Sequence, residues 1–428
     1  MIKRALVTVV AAAGLALTAS APAFAAQPYP INFKNFPLGS YASVSGTTVS
    51  GGAVTLASAG LASFPYTDPF ADYSGDGADG SGAYRSGSWT SPDTPLSFGF
   101  NELVASWNAD TPDGTWIQVE MRPKMLDGHW AKPYILGRWS SSDSDFHRTS
   151  VGGQGDADGY VAIDTFFAKD HLAVAYQLKV TLFRRAGSSA SPTLTRLSAV
   201  AMNVRNQKNT FPSDTTITQE RDLHLPQYSQ EIHHGDFPQY DNGGEAWCSP
   251  TSTSMVVRYW GAAFQPTPAE YEWVTDVLGA SHADPWVDFT ARAVYDYRYN
   301  GAGNWPFNAA YAASRGLVAD VAALHNLHEA EPYIQAGVPL VASVAWSSNK
   351  LEGGIKSTNG HLMVIGGFTA SGDVIAYDPA SDTDALVRHV YDREQFERAW
   401  IPASGGIVYV IRTGGPSIVD SLLTTNNS

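Results

Sequence analysis

Residues 243–257 read GGEAWCSPTSTSMVV and contain Cys248, the only cysteine among 428 residues. Upstream, Asn242-Gly243-Gly244 is turn chemistry. Downstream, Met255, Val256, Tyr259 and Trp260 share one face of a helix. Pro250, with small hydroxylated residues around it, marks the helix start. The thiol therefore sits at a helix N-terminus, where unpaired N–H groups and the macrodipole favour a thiolate. The dipole alone contributes at most about 1 kcal/mol at an exposed site, so a reactive sulfur needs a cationic partner. One cysteine closes no internal disulfide; it is a buried inert residue, a route to intermolecular pairing, or a nucleophile.

The N-terminus gives the thiol its context. Lys3 and Arg4 precede an apolar run over 5–19, and Ala23-Phe24-Ala25 supplies a small-x-small cleavage site. The expectation is a secretory leader over 1–25, removed near Ala25, and an extracellular protein. The run is shorter than the roughly 20 residues that span a bilayer. No later stretch is long enough, so no membrane span is expected. A formal charge of −14 argues against nucleic acid and anionic membranes as partners. With 44% apolar and 16% charged residues the chain suits a folded protein. Roughly 400 mature residues exceed one ordinary core, which predicts two domains.

Residues 30–205 read as an all-β sandwich. Ile117, Val119 and Met121 alternate with Gln118, Glu120 and Arg122, and Tyr176, Leu178, Val180 and Leu182 alternate with polar neighbours. Turns at Pro112-Asp113-Gly114, Asp127-Gly128 and Asp158-Gly159 punctuate the strands. Trp89, Trp107, Trp116, Trp130 and Trp139 fit the core of such a domain better than a sugar-stacking surface. The stretch 72–82, with Asp72, Asp76 and Asp79, lacks the glutamate of a calcium loop, since Ala83 stands there; a glycine-rich loop is expected. Residues 206–222 read as a linker or an extended strand, and 413–428 as a C-terminal tail. Over 223–412 the texture is α+β, with helices at 251–260, 268–278, 289–299 and 329–336, then strands at 340–346, 361–368, 374–377 and 406–411.

The cationic partner is sought among the histidines. His233-His234 lies in a polar loop and His325 with His328 on a helix edge; neither pair has the company of a metal site, so no metal or cofactor is expected. His361, in NGHLMVIGGF (359–368), opens an apolar strand, where it is either a cleft residue or a structural one. After the turn TASGD, VIAYDPAS carries Asp378. A plain Ser371-Gly372 turn sets Asp378 opposite Ile365; a longer turn or a bulge brings it toward His361. An aspartate there orients the imidazole, and the imidazole activates a thiol. The Cys248 N–H is one oxyanion donor. Gln227, Gln230 and Gln239 are open candidates for a second.

Together, the YSQ ending at Gln230, WCSPTSTSMVVRYW, NGHLMVIGGF and VIAYDPAS resemble the secreted, stand-alone branch of the bacteriocin-processing, double-glycine-leader cysteine peptidases, which are papain-like. The resemblance covers about 223–412, and the β-rich half resembles the domain that precedes such peptidases. It implies Cys248 as nucleophile, His361 as base and acid, Asp378 as orienting group and Gln230 as oxyanion glutamine. It implies a peptide or protein substrate. YIQAGVPLVASVAW (333–346) resembles the family's strand between helix and histidine. Many relatives have Cys-Gly-Pro-Thr where this chain has Cys248-Ser249-Pro250-Thr251, so the serine side chain bears on substrate access. Two other functions fit the sequence: a cell-wall peptide amidase or transacylase on the same fold, and a glycan-binding surface protein with a decayed peptidase domain.

Overall fold

The computed structural model describes residues 29–70, 81–205, 209–415, 418–425 and 427. The expected leader and the aspartates of the 72–82 stretch lie outside the described residues.

The N-terminal half forms two antiparallel seven-stranded sheets. The two strands with the clearest alternation are neighbours: Thr115–Met125 pairs with Ala173–Arg185, setting Val119 beside Val180 and Met121 beside Leu178. Ile117, Val119 and Met121 are fully buried, as a core-facing row must be. Trp89, Trp107, Trp116 and Trp139 are also inside, while Trp130 is half-buried, with the Arg122 guanidinium 5.2 Å from its ring centre.

The C-terminal half is built on a third antiparallel sheet. Its order is Val318–Ala323, Ile407–Arg412, Leu340–Trp346, Thr358–Phe368, Val374–Tyr377 and Arg388–Tyr391, with Arg221–Asp222 added beside Thr358–Phe368. Seven helices accompany it among the described residues: α1 (Cys248–Trp260), α2 (Glu272–Leu278), α3 (Pro285–Val294), α4 (Trp305–Ser314), α5 (Leu327–Gln335), α6 (Arg393–Ser404) and α7 (Ile418–Thr425).

Several elements differ from the expectation, each for a local reason. The helix expected at 289–299 begins at Pro285 and ends at Val294. Beyond it the Asp296 carboxylate accepts the N–H groups of Arg298 and Tyr299 and competes with helical bonding. α4 has little apolar periodicity to read, because it is buried nearly all round. The linker region is not loose. Its Thr216 N–H donates to Glu331 at 2.8 Å, and Arg221–Asp222 joins the sheet. The expected C-terminal tail carries α7, which buries Val419 and Leu423. Beyond α7, the Asn427 side chain bonds the main chain of Phe33 in the first strand.

The halves are joined by a continuous core. Phe307 on α4 meets Trp107 and Trp139 from the β half, with ring centres 6.2 and 5.3 Å apart. Gly137 permits this approach, since a Cβ there would lie 2.9 Å from Trp107 and 3.2 Å from Phe307. Buried Asp320 accepts Arg196 and Ser198 across the interface at 2.7 and 2.6 Å. Asp143 takes Arg292 in a two-pronged ion pair. An interface this apolar and this well paired holds the halves in one orientation.

Candidate active site

The sulfur is set by the first turn of α1. Thr251 N–H donates to the Trp247 carbonyl at 3.0 Å, which makes Cys248 and Ser249 the donors of the first turn, because Pro250 has no N–H. Cys248 is half-buried, whereas Trp247 before it is fully buried and donates its indole N–H to the Tyr240 carbonyl. The hydroxyl-rich run after Pro250 has a use that its reading as a helix start did not supply. Ser252 donates to the Leu362 carbonyl at 3.1 Å, Thr253 to Asn308 and Ser254 to Thr290. The first of these ties α1 to the residue next to His361.

His361 lies opposite Val344 on the strand Thr358–Phe368. Its Nε2–H donates to Asp378 Oδ1 at 2.7 Å, and the Cys248 thiol is near enough to the ring to favour its charged form. With Nε2 committed to the carboxylate, Nδ1 is the nitrogen left for sulfur. Two local features supply the register. A three-residue loop, Ala370–Gly372, closes on the Gly372-to-Thr369 bond with Gly372 at φ +90°, and a bulge falls between Ile365 and Gly367. Each advances the pairing by one residue, so Asp378 follows Tyr377, which pairs with Val364. Asp378 stays on the face that His361 occupies and is brought two residues nearer to it along the strand.

The electrostatics of the pair are those of a buried ion pair. Burial works against charge on His361, but Asp378, and after it Cys248, outweigh that and raise the imidazole to about 10. Burial likewise opposes charge on Asp378, and the His361 imidazole, with the Tyr391 hydroxyl and the Ala380 N–H, holds the carboxyl below its usual range. The Tyr391 bond to Oδ2 is 2.7 Å and the Ala380 bond to Oδ1 is 3.0 Å. Trp346 stands edge-on to the imidazole at 6.0 Å and is 6% exposed, so it screens the pair from water.

Of the three glutamines, Gln230 has its amide at the cysteine approach. Nε2 donates to the Glu245 carbonyl at 2.9 Å, and its main-chain N–H donates to Pro379, the residue after Asp378. Gln230 is 3% exposed, and its Oε1 is without a partner. Gly244 makes the close packing possible, because a Cβ there would lie 2.2 Å from the Gln230 carbonyl. Ser249, whose side chain bore on access to the thiol, turns inward: it is 1% exposed and shares a hydrogen bond of 2.9 Å with Tyr409.

With this geometry in place, the comparisons identify both halves. Residues 35–202 match the family model described as the peptidase C39 N-terminal domain, and residues 223–408 match that of the Peptidase_C39 like family. The chain is a relative of the C39 peptidases. No curated protein matches it.

Sequence reading of this C39 relative missed three neighbours of the site. Trp346 and Tyr391 surround the His361–Asp378 pair, the first from the end of an expected strand and the second from the short strand Arg388–Tyr391, for which the sequence shows no pattern. Tyr299, 42% exposed, lies near the sulfur: burial first, then the charges of Asp241 and Cys248, hold its hydroxyl above the ordinary range. The β half reaches the same region. Asp164, in the turn between strands Gly159–Ala162 and Thr165–Ala168, accepts the Trp305 N–H at the start of α4 at 2.8 Å.

Proposed function

We propose that this chain is a papain-like thiol hydrolase that cleaves peptide bonds through Cys248, His361, Asp378 and Gln230. The observation that carries the reading is a single imidazole bonded to a buried carboxylate and acted on electrostatically by a half-buried thiol at a helix N-terminus. Family membership supports peptide-bond chemistry and a peptide substrate.

In this reading the sulfur, as thiolate beside the His361 imidazolium, attacks the scissile carbonyl carbon. The electron pair moves onto oxygen, which meets the Cys248 N–H and the Gln230 amide N–H not engaged by Glu245. His361 Nδ1–H gives its proton to the departing amine nitrogen as the tetrahedral species collapses to a thioester. His361 then takes a proton from water, which attacks the thioester and frees the acid and the thiol. Asp378 holds the ring with Nδ1 facing sulfur throughout. Secretion belongs to the same proposal, supported by the leader-like residues 1–25.

Iodoacetamide at pH 7, followed by mass spectrometry, gives the first test. Rapid alkylation of Cys248 that slows at least tenfold in His361→Ala supports the reading; equal rates overturn the activated thiol. Casein and purified peptidoglycan, offered in parallel with Cys248→Ala as control, separate a peptidase from a wall amidase. Asp378 as orienting group supports the peptidase, since wall amidases commonly use a second histidine there.

A further inference from the structure

A second cluster of chemistry-bearing side chains lies outside the proposed catalytic set. His233, Asp236, His282 and Asp288 each offer one donor atom, and the four donor atoms lie within 4.8 Å of one another. His233 Nδ1 is 3.1 Å from Asp288 Oδ2 and 3.6 Å from Asp236 Oδ2. His282 Nε2 is 3.0 Å and 3.5 Å from the same two oxygens. A tetrahedral ion with bonds of about 2.0–2.1 Å needs its donors about 3.3 Å apart. The observed separations bracket that value.

The hydrogen-bonding state of the cluster points the same way. His233 is fully buried, yet neither of its ring nitrogens has a hydrogen-bond partner of proper geometry. Asp236 Oδ2 is unpartnered too, as is Oδ1 of the fully buried Asp288, while Asp288 Oδ2 shares a hydrogen bond of 3.0 Å with His282 Nε2 that an ion would replace. Buried imidazole and carboxylate groups are rarely left so. Here the Nδ1 of His233 lies close to two carboxylate oxygens without being aligned to donate to either, as happens when lone pairs converge on a common point.

We infer that His233, Asp236, His282 and Asp288 form a four-donor site for a divalent transition metal of the zinc class. Two imidazole nitrogens disfavour calcium and magnesium, which take oxygen donors. Two carboxylates neutralise a doubly charged ion.

The position of the site gives the ion a use. His233 closes the 3₁₀ turn Glu231–His233, which follows Gln230 directly. Asp288 is in the first turn of α3, and His282 in the loop before it. The His233 ring lies 6.2 Å from that of Trp247, the residue before Cys248. An ion held by all four residues would pin the Gln230 segment and the cysteine approach to α3. These are positioning residues, acting through the segments on which Gln230 and Trp247 lie. The inference stands whether or not Gln230 binds an oxyanion.

The test uses full-length mature protein without a polyhistidine tag, in a Cys248→Ala background so that the thiol cannot bind metal. After dialysis against a chelator, zinc and cobalt(II) are added separately. The expected result is one equivalent of zinc by elemental mass spectrometry, a melting temperature raised by several degrees, and for cobalt a visible absorption of tetrahedral intensity without a thiolate band. His282→Ala and Asp236→Asn, each checked for folding by circular dichroism, should weaken binding at least a hundredfold and remove the thermal shift. Failure of the folded parent protein to take up either metal at micromolar concentration overturns the site. So does uptake that persists unchanged in both variants.

Discussion

Each half of the molecule buries a histidine against an aspartate, and only one of the two pairs has a sulfur beside it. In the β half, His147 donates from its main-chain N and from Nδ1 to the same oxygen of Asp68, at 2.8 and 2.9 Å, with the Tyr297 ring 4.3 Å away. In the other half, His361 uses Nε2 on Asp378, and Nδ1 is the atom left for the thiol. The pairs are alike in burial and in bond length. They differ in which nitrogen the carboxylate takes and in what the rest of the ring meets. A buried histidine–aspartate pair is therefore no signature of chemistry. The third neighbour decides.

The largest effect should come from the sulfur. Cys248→Ala should lower kcat for peptide hydrolysis by at least about 10³-fold, with a melting temperature within two or three degrees of the parent, read by casein assay and calorimetry. Retained turnover would remove the contrast between the two pairs. Asp378→Asn comes next, with a loss of about 10²- to 10⁴-fold. It also carries a pH signature. His361 is raised to about 10, so its stabilising charge is fully present below the unfolded value near 6.5 and is lost as pH rises through about 10. Asp378 is depressed, so its share is present above about 4 and lost as pH falls below its folded value. The pair is intact between those limits, and the parent enzyme should lose activity on an alkaline limb near pH 10. Asp378→Asn should move that limb to lower pH.

The opposite outcome is expected in the β half. His147→Ala removes the side-chain bond to the buried Asp68 carboxylate, leaving it the main-chain N–H groups of residues 147 and 70, and should cost about 1.5–3 kcal/mol of stability in denaturant unfolding. The kcat/KM of the folded fraction should stay within twofold. An effect no larger should follow Tyr391→Phe, which removes one bond to the Asp378 carboxylate. The cost should be about 1.5–3 kcal/mol at most, with a modest rise in the Asp378 titration seen by NMR.

The smallest concerns Asp164 at the junction of the halves. Burial, followed by the charge of Asp296, raises this carboxyl to about 7 against the bonds from Trp305 and Thr165. A raised carboxyl costs the fold stability as pH climbs from about 4 to 7. Asp164→Asn should therefore gain a few degrees of melting temperature relative to the parent between pH 4 and pH 8. A constant difference across that range would place the charge outside the interface.

Much of this architecture is legible in the sequence. The strands around Ile117–Met121 and Tyr176–Leu182 announced themselves because one face is apolar and the other polar, and α1 because its apolar residues recur at helical spacing. α4 was invisible because it is buried nearly all round and shows no polar face, and α7 because it is short and set beyond the last strand. Cys248 stood out as a lone thiol and His361 as a polar ring opening an apolar strand. Asp378 was readable only as a possibility, since its register depended on a loop and a bulge that differ from the simplest hairpin by one residue each. The donors of the four-residue cluster are 233, 236, 282 and 288, split between two loops and α3. Reading His233 with its neighbour His234 paired the wrong histidines, because His234 faces solvent and His282 arrives from a separate segment.

What the order of amino acids determined alone is local: the pleated and helical periods, the helix that begins at the cysteine, and the residue types able to move protons beside it. Those follow from short-range sterics and hydrogen bonding, which act over a few residues. Only the tertiary structure decided which groups meet. Sulfur, imidazole and carboxylate come from α1 and from two adjacent strands, and their meeting depends on a bulge, a three-residue loop and the Ser252 bond to Leu362. Distances of under 3 Å between groups far apart in the chain are fixed by packing, and packing is a property of the whole fold.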